Sequence, residues 1–265
     1  KLQKQQDYLT VGGVLDNICN SACQFCNEDL STTIGGLRSK QYPIVDNSKG
    51  FWALPLDRVV HLDVNGGEPS ASKNYKEILR NPPKNVRSIR VNTNCALVIN
   101  ELESLIEKGI HVTVTVSFDG IGNVHDYVRW PVKWDKFYSN LMKYKAMGIS
   151  NLNLWTTVNA LNVGDFANIV DFKNEHQLDH SWALLNQPEM LDIRYENWLT
   201  LGAKETLAQS KNQEVLPLLE QLVSLENNGL LRRCLDGAVT PDAVIGALQT
   251  AGLRGLGGAG FPTAR

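Results

Sequence analysis

Two features of the chain predict an α/β fold built on a mainly parallel sheet. Strand-like and helix-like segments alternate from about residue 9 to about residue 185, and the segments between successive strand patterns are long enough to be crossovers. Parallel neighbours cannot be joined by a tight turn and need long right-handed connections, which this spacing supplies. The pattern leaves an open or partial α/β barrel, or a doubly wound sheet. In either case a ligand site is expected at the carboxyl ends of the strands.

Six apolar or β-branched runs carry the strand prediction: 9–15, 59–64, 88–92, 111–117, 152–158 and 181–185. Helical patterns fall between them. Asn100 with Glu103 three residues on reads as an N-cap with Glu at N3, Leu105 and Ile106 follow, and Gly109 stops the helix. Trp134, Phe137, Tyr138, Leu141 and Tyr144 form an apolar stripe at helical spacing, ended by Gly148. Further helices are predicted across 165–175, 196–207 and 215–225.

A chain of 265 residues with 43% hydrophobic and 20% charged residues can bury a substantial core as one large domain, with room for an appendage. Its net charge of -2 gives no general attraction to nucleic acid or to an anionic membrane. Five cysteines, three of them clustered, suit a reducing compartment better than a disulfide framework. With no apolar run of membrane-spanning length and no signal peptide, the expected location is cytoplasmic. The chain begins at Lys1 without an initiator Met and stops at Arg265 inside a Gly-rich segment, which reads as a fragment of a longer protein.

The chemistry-bearing motifs follow the predicted strands in turn. After the first comes Cys19-Asn-Ser-Ala-Cys23-Gln-Phe25-Cys26, a C-x3-C-x2-C triplet. Three thiolates on one short loop can hold three irons of a cubic 4Fe-4S cluster and leave the fourth iron open to another ligand. A zinc site is the rival reading, but closed zinc sites use four ligands and no second C-x2-C pair exists; His61, His111 and Cys95 are scattered. After the second strand comes Asn65-Gly66-Gly67-Glu68-Pro69, where the glycines admit close backbone approach; the plainer reading is a tight strand-to-helix turn. Val91-Asn92-Thr93-Asn94 follows the third strand. Ser117-Phe118-Asp119-Gly120 and then His125 to Arg129 follow the fourth. Each is weak alone, since polar residues often close strand ends.

In this order, the residues resemble the radical S-adenosylmethionine (SAM) superfamily from about residue 9 to about 225, most closely its peptide- and protein-modifying branch and the related twitch-domain proteins. The resemblance implies a partial (β/α)6 barrel of mainly parallel strands with C-terminal helices across 1–226. It implies a 4Fe-4S cluster on Cys19, Cys23 and Cys26, with SAM chelating the open iron. Gly66, Gly67 and Glu68 would receive the SAM amino group, Ser117 the ribose hydroxyls, and Phe25 would border the adenine; Arg129 is the candidate for the SAM carboxylate, with a structural ion pair as its plainer reading. Asn159 and Gln187 could line the substrate end. Asn94-Cys95 stands where Asn-Gly is usual, so Cys95 is either a free thiol near the pocket or a packed small residue. The implied chemistry is reductive cleavage of SAM to a 5'-deoxyadenosyl radical that abstracts hydrogen from a peptide or protein substrate. A reductant such as flavodoxin or ferredoxin would supply the electron. Only Cys95 and Cys234 remain outside the triplet, too few for an auxiliary cluster.

After a junction at 227–239, residues 240–265 resemble the FMN-binding start of the NADH-binding subunit of NADH and formate dehydrogenases. Glycines at 252, 255, 257, 258 and 260 stand in the loop that contacts FMN in that family. Leu256 replaces the usual Arg and Ala264 the usual Gly, and the rest of a flavin domain is missing, so the Gly-rich tail reads as a truncated remnant. Two other functions therefore stay open beside the radical enzyme: an iron-sulfur electron-transfer component of an NADH/flavin oxidoreductase, and a non-catalytic binding protein of the same fold.

Overall fold

The computed structural model describes residues 9–38, 42–188, 191–193, 210, 213–218 and 221. Six strands, β1 (Leu9–Val14), β2 (Val59–Asn65), β3 (Ser88–Thr93), β4 (His111–Ser117), β5 (Asn151–Val158) and β6 (Asp179–Leu184), form one sheet in the order of the sequence. Every crossover therefore joins neighbours. The pairs β1 to β2, β2 to β3, β3 to β4 and β4 to β5 are parallel, with Val14 opposite Asn65, Thr93 opposite Val116 and Ser117 opposite Trp155. This is an α/β partial barrel, as the sequence predicts.

Among the described residues the crossovers carry seven helices: α1 (Thr32–Leu37) and α2 (Ser48–Trp52) between β1 and β2, α3 (Lys73–Arg80), α4 (Glu101–Glu107), α5 (Asn123–Val128), α6 (Trp134–Ala146) and α7 (Phe166–Glu175). The sequence pattern predicts α4, α6 and α7 and misses the others, which are short or bury only a few side chains. Gly109 and Gly148, at φ 75° and 76°, end α4 and α6 as predicted. The Asn100 cap is not made: Asn100 is itself helical (φ -66°, ψ -22°), so its side chain makes no capping bond and its carbonyl accepts from the Glu103 N–H instead. Ser72 does cap α3, accepting from the Tyr75 N–H.

The two faces of the sheet differ. Val91, Val112, Val114, Val116 and Leu154 are fully buried together with Leu102, Leu105, Phe137, Leu141 and Tyr144. Burying each aliphatic side chain contributes about 1.5–3 kcal/mol. The alternate residues of the same strands, Asp63, Asn65, Arg90, Asn92, Thr113, Thr115, Ser117, Asn151, Asn153 and Trp155, line a cavity of about 800 Å³. Period-2 alternation thus gives one face to the core and the other to a polar chamber.

The chain divides into two compact units, Lys1–Thr157 with Phe172–Ala183, and Val158–Asp171 with Leu184–Arg265. In the second, Val163, Phe166, Ile169 and Ile193 are buried, and the Ala160 N–H donates to the Leu191 carbonyl. The helix predicted across 196–207, the 227–239 junction and the 240–265 tail lie outside the described residues. Of the helix predicted across 215–225, residues 216–218 and 221 are helical, after a 3-10 turn at Gln213–Val215.

Candidate functional site

The cysteine triplet lies on the loop after β1, and backbone and side chains from several elements hold that loop in place. Thr33 Oγ1 donates to the Cys19 carbonyl (2.7 Å), Ser31 Oγ to the Ser21 carbonyl (2.6 Å), and the Cys19 N–H to Thr32 Oγ1 (3.2 Å), so the start of α1 wraps the first half. The second half is docked on the end of α5. There Ala22 N–H donates to the Trp130 carbonyl and Gln24 N–H to the Val128 carbonyl. Buried Asn17 adds bonds to the Asp29 and Pro43 carbonyls and to the Val45 N–H. Cys19, Cys23 and Cys26 are half-buried free thiols.

The Gly66-Gly67-Glu68 turn packs directly on this loop. Gly67 has φ +43°, and a Cβ there would overlap the Ile18 carbonyl, one residue before Cys19. No side chain larger than hydrogen fits. The Glu68 N–H donates to the same carbonyl (2.7 Å). The Glu68 carboxylate turns to the end of β3, accepting from the Ser70 N–H (3.0 Å), Thr93 Oγ1 (2.7 Å) and the Asn94 N–H (2.6 Å). Burial pushes its pKa up, against the lowering effect of those donors. Asn94 completes the tie, its Nδ2 donating to Asn20 Oδ1 (2.8 Å) and Ser21 Oγ (2.7 Å) within the cysteine loop.

At the end of β4, buried Asp119 and Arg129 form an ion pair through Nε and Nη2 of the guanidinium. Asp119 Oδ1 also accepts from the Thr157 N–H (2.7 Å). Nη1 of Arg129 donates to Cys23 Sγ at 3.5 Å, and its Cζ lies 5.2 Å from the centre of the Phe25 ring. Burial works against the charged guanidinium, but Asp119 and Cys23 outweigh it and hold Arg129 above its ordinary pKa. His125 is enclosed by Trp134 and Phe137 with both ring nitrogens unpartnered among the described residues, and burial pushes its pKa down to about 3.

Cys19, Cys23, Cys26, Phe25, Gly66, Gly67, Glu68 and Arg129 are thus brought into one assembly. Ser117 lines the polar cavity with Asn65, which precedes Gly66 in the chain. Asn159 and Gln187 belong to the second unit, where Asn159 Oδ1 accepts from the Leu161 N–H. The sequence assigns no role to Asn17 or Thr33, whose only signal is position next to the cysteine loop, and it shows Asp119 only as part of the Ser117-Phe118-Asp119-Gly120 strand end.

The chain matches the radical SAM superfamily over residues 14–172, more than half its length. It belongs to that superfamily. A curated relative is the sporulation killing factor maturation protein SkfB of Bacillus subtilis (strain 168), 25% identical over 162 residues, which are 59% of this chain and 37% of SkfB. A second is the 7-carboxy-7-deazaguanine synthase of Aquifex aeolicus (strain VF5), 28% identical over 95 residues, covering 36% of this chain and 40% of the relative. The matched regions thus span about two fifths of each relative. Among solved structures, Streptococcus suis SuiB bound to S-adenosylmethionine superposes with a TM-score of 0.53 at 14% identity, covering 78% of this chain and 49% of SuiB. AdoMet-bound anSMEcpe gives 0.52 at 16% identity, covering 75% and 58%. These share the fold.

Membership in the radical SAM superfamily implies an iron-sulfur cluster and SAM. The residues present fit the cluster. All three donors of the triplet are thiols, close enough for Cys23 to raise the pKa of both Cys19 and Cys26, and the Arg129 cation stands beside Cys23. Among the described residues no three His, Cys, Asp or Glu side chains converge where one metal ion could be held; the corners of a cubic cluster instead take one thiolate each. Burial pushes Cys19 up to about 12 and Cys26 upward, so iron must displace protons to bind there.

Proposed function

We propose that this chain is the catalytic core of a radical SAM enzyme that modifies a peptide or protein, and that Cys19, Cys23 and Cys26 hold a 4Fe-4S cluster. The observation that carries the reading is the three-thiol loop docked on the Gly66-Gly67-Glu68 turn at the carboxyl ends of parallel strands. When bound, this cofactor pair supplies reductive cleavage of SAM to methionine and a 5'-deoxyadenosyl radical, which takes a hydrogen atom from substrate.

The chain's own residues bind and orient. The tight turn leaves the carbonyls of Gly66 and Gly67 as acceptors for the SAM ammonium, while Glu68 fixes the turn against β3. Ser117 would take the ribose hydroxyls and Phe25 border the adenine. Arg129 turns Nε and Nη2 to Asp119 and Nη1 to Cys23, and among the described residues its remaining N–H groups are open to the SAM carboxylate.

The substrate reading rests on the cavity. Asn65, Asn92, Asn151 and Asn153 each present a donor and an acceptor, the pairing a peptide main chain needs, and the Asn65 carboxamide oxygen is buried with no partner among the described residues. SkfB is described as a maturation protein, and another SuiB structure holds the precursor peptide SuiA. The electron would come from a small carrier such as flavodoxin or ferredoxin, in the cytoplasm. Among the described residues no helix is long and apolar enough to cross a membrane.

The test is anaerobic reconstitution with iron and sulfide, dithionite reduction with SAM present, and quantification of 5'-deoxyadenosine. The wild type should form it and the C19A/C23A/C26A variant should not. Equal amounts from both, or no SAM binding by a loaded wild type, would remove the reading.

A further inference from the structure

We infer that Arg129 sets the reduction potential of the cluster, acting on it through Cys23 as a positioning residue held by Asp119; the inference rests on the cluster assignment above. A guanidinium paired with a carboxylate needs one edge for that pair. Arg129 uses its Nε and Nη2 for Asp119, and turns Nη1 to Cys23 Sγ at 3.5 Å.

Both ends of this contact are fixed. The Arg129 side chain is buried, its N–H donates to the His125 carbonyl, and Phe25 packs against its guanidinium. Asp119 is anchored by the Thr157 N–H. The cysteine loop is bonded through Ala22 and Gln24 to residues 130 and 128, on either side of Arg129. The donor and the sulfur it serves therefore sit on segments bonded to each other, so the contact does not depend on a long side chain finding its partner.

Uptake of one electron from an external carrier makes a thiolate-ligated cluster more negative. A cationic N–H donated to a ligand sulfur favours that state, because cluster potentials follow net charge and hydrogen bonds to the sulfurs. Asp119 moderates the effect by neutralising part of the guanidinium charge. Removing the cation and removing its counter-ion should therefore move the potential in opposite directions, whereas damage to the loop would move both the same way. Arg38 also acts on Cys26, but it is exposed and paired with Glu28, so solvent screens it and it serves as the control.

The experiment uses the full chain, reconstituted anaerobically without SAM, with iron and sulfide counted and the midpoint potential titrated by EPR of the reduced cluster. At equal iron content, Arg129→Gln should shift to a more negative potential, Asp119→Asn to a less negative one, and Arg129→Lys and Arg38→Gln should stay near the wild type. Arginine-specific 15N labelling of the wild type should also give a nitrogen hyperfine coupling to the reduced cluster that Arg129→Lys loses. That arm decides the matter if Arg129→Gln takes up no iron. A loaded wild type with no such coupling, or unchanged or same-direction shifts in Arg129→Gln and Asp119→Asn, overturns this inference alone. A wild type that binds no iron-sulfur cluster overturns the cluster assignment and this inference with it.

Discussion

Cys95 adopts φ 61°, the left-handed region that favours glycine, which explains why a Gly is usual after Asn94 in the resembling proteins. It is the packed residue of the two readings: fully buried, its sulfur against the Phe137 carbonyl, and its own carbonyl accepting from Asn140. The strained backbone costs about 1–2 kcal/mol, which burial of the sulfur offsets. His125 gives the prediction at this scale. Its folded pKa is depressed to about 3 from 6.5, so between those values the unfolded chain binds a proton that the folded chain excludes. Stability should fall as pH is lowered through that window, by up to about 1.4 kcal/mol per pH unit from this residue. Urea midpoints measured from pH 6.5 to 4 should show a shallower decline for His125→Phe than for the wild type. Equal slopes would mean that the folded imidazole is charged.

Turns and loops, more than the helices, assemble the site. The Gly66-Gly67-Glu68 turn touches the cysteine loop by backbone, and its carboxylate reaches the end of β3, so three strand ends share one turn. Gly67→Ala would place a methyl on the Ile18 carbonyl at positive φ. It should cost about 3 kcal/mol or more by urea unfolding and abolish iron uptake. Gly36→Ala, within α1, meets nothing within 4 Å and should be neutral or stabilising by about 0.5–1 kcal/mol. A Gly67→Ala protein that is stable and loads iron would contradict the docking of turn on loop.

At the scale of the whole molecule, the sheet gives one face to the packed core and the other to the polar cavity. Adjacent residues of β5 make the comparison: Leu154 is fully buried, while Asn153 lines the polar cavity and accepts a long bond (3.4 Å) from Ser181. Leu154→Ala should cost about 2–5 kcal/mol. Asn153→Ala should cost less than about 0.5 kcal/mol. Equal costs in chemical denaturation would mean that the two faces are not divided as described. Six strands were legible because each is a short apolar run, and the sixth was read two residues late because Asp179 and His180 carry no apolar signal. The short helices α1, α2 and α5 were missed because five or six residues give too little periodicity to read.

By itself the sequence determined the order of the strands, the three thiols and the Gly-Gly-Glu turn, because each is a property of neighbouring residues. Only the tertiary structure decided what Glu68, Asn94 and Arg129 do. Glu68 and Asn94 make ties between loops. Arg129 reaches Cys23, 106 positions away in the chain, because the crossovers between β1 and β4 bring strand ends together. Whether a buried carboxylate or guanidinium faces a ligand or another loop depends on which groups the fold sets within about 3 Å of it, and local pattern carries no record of that distance.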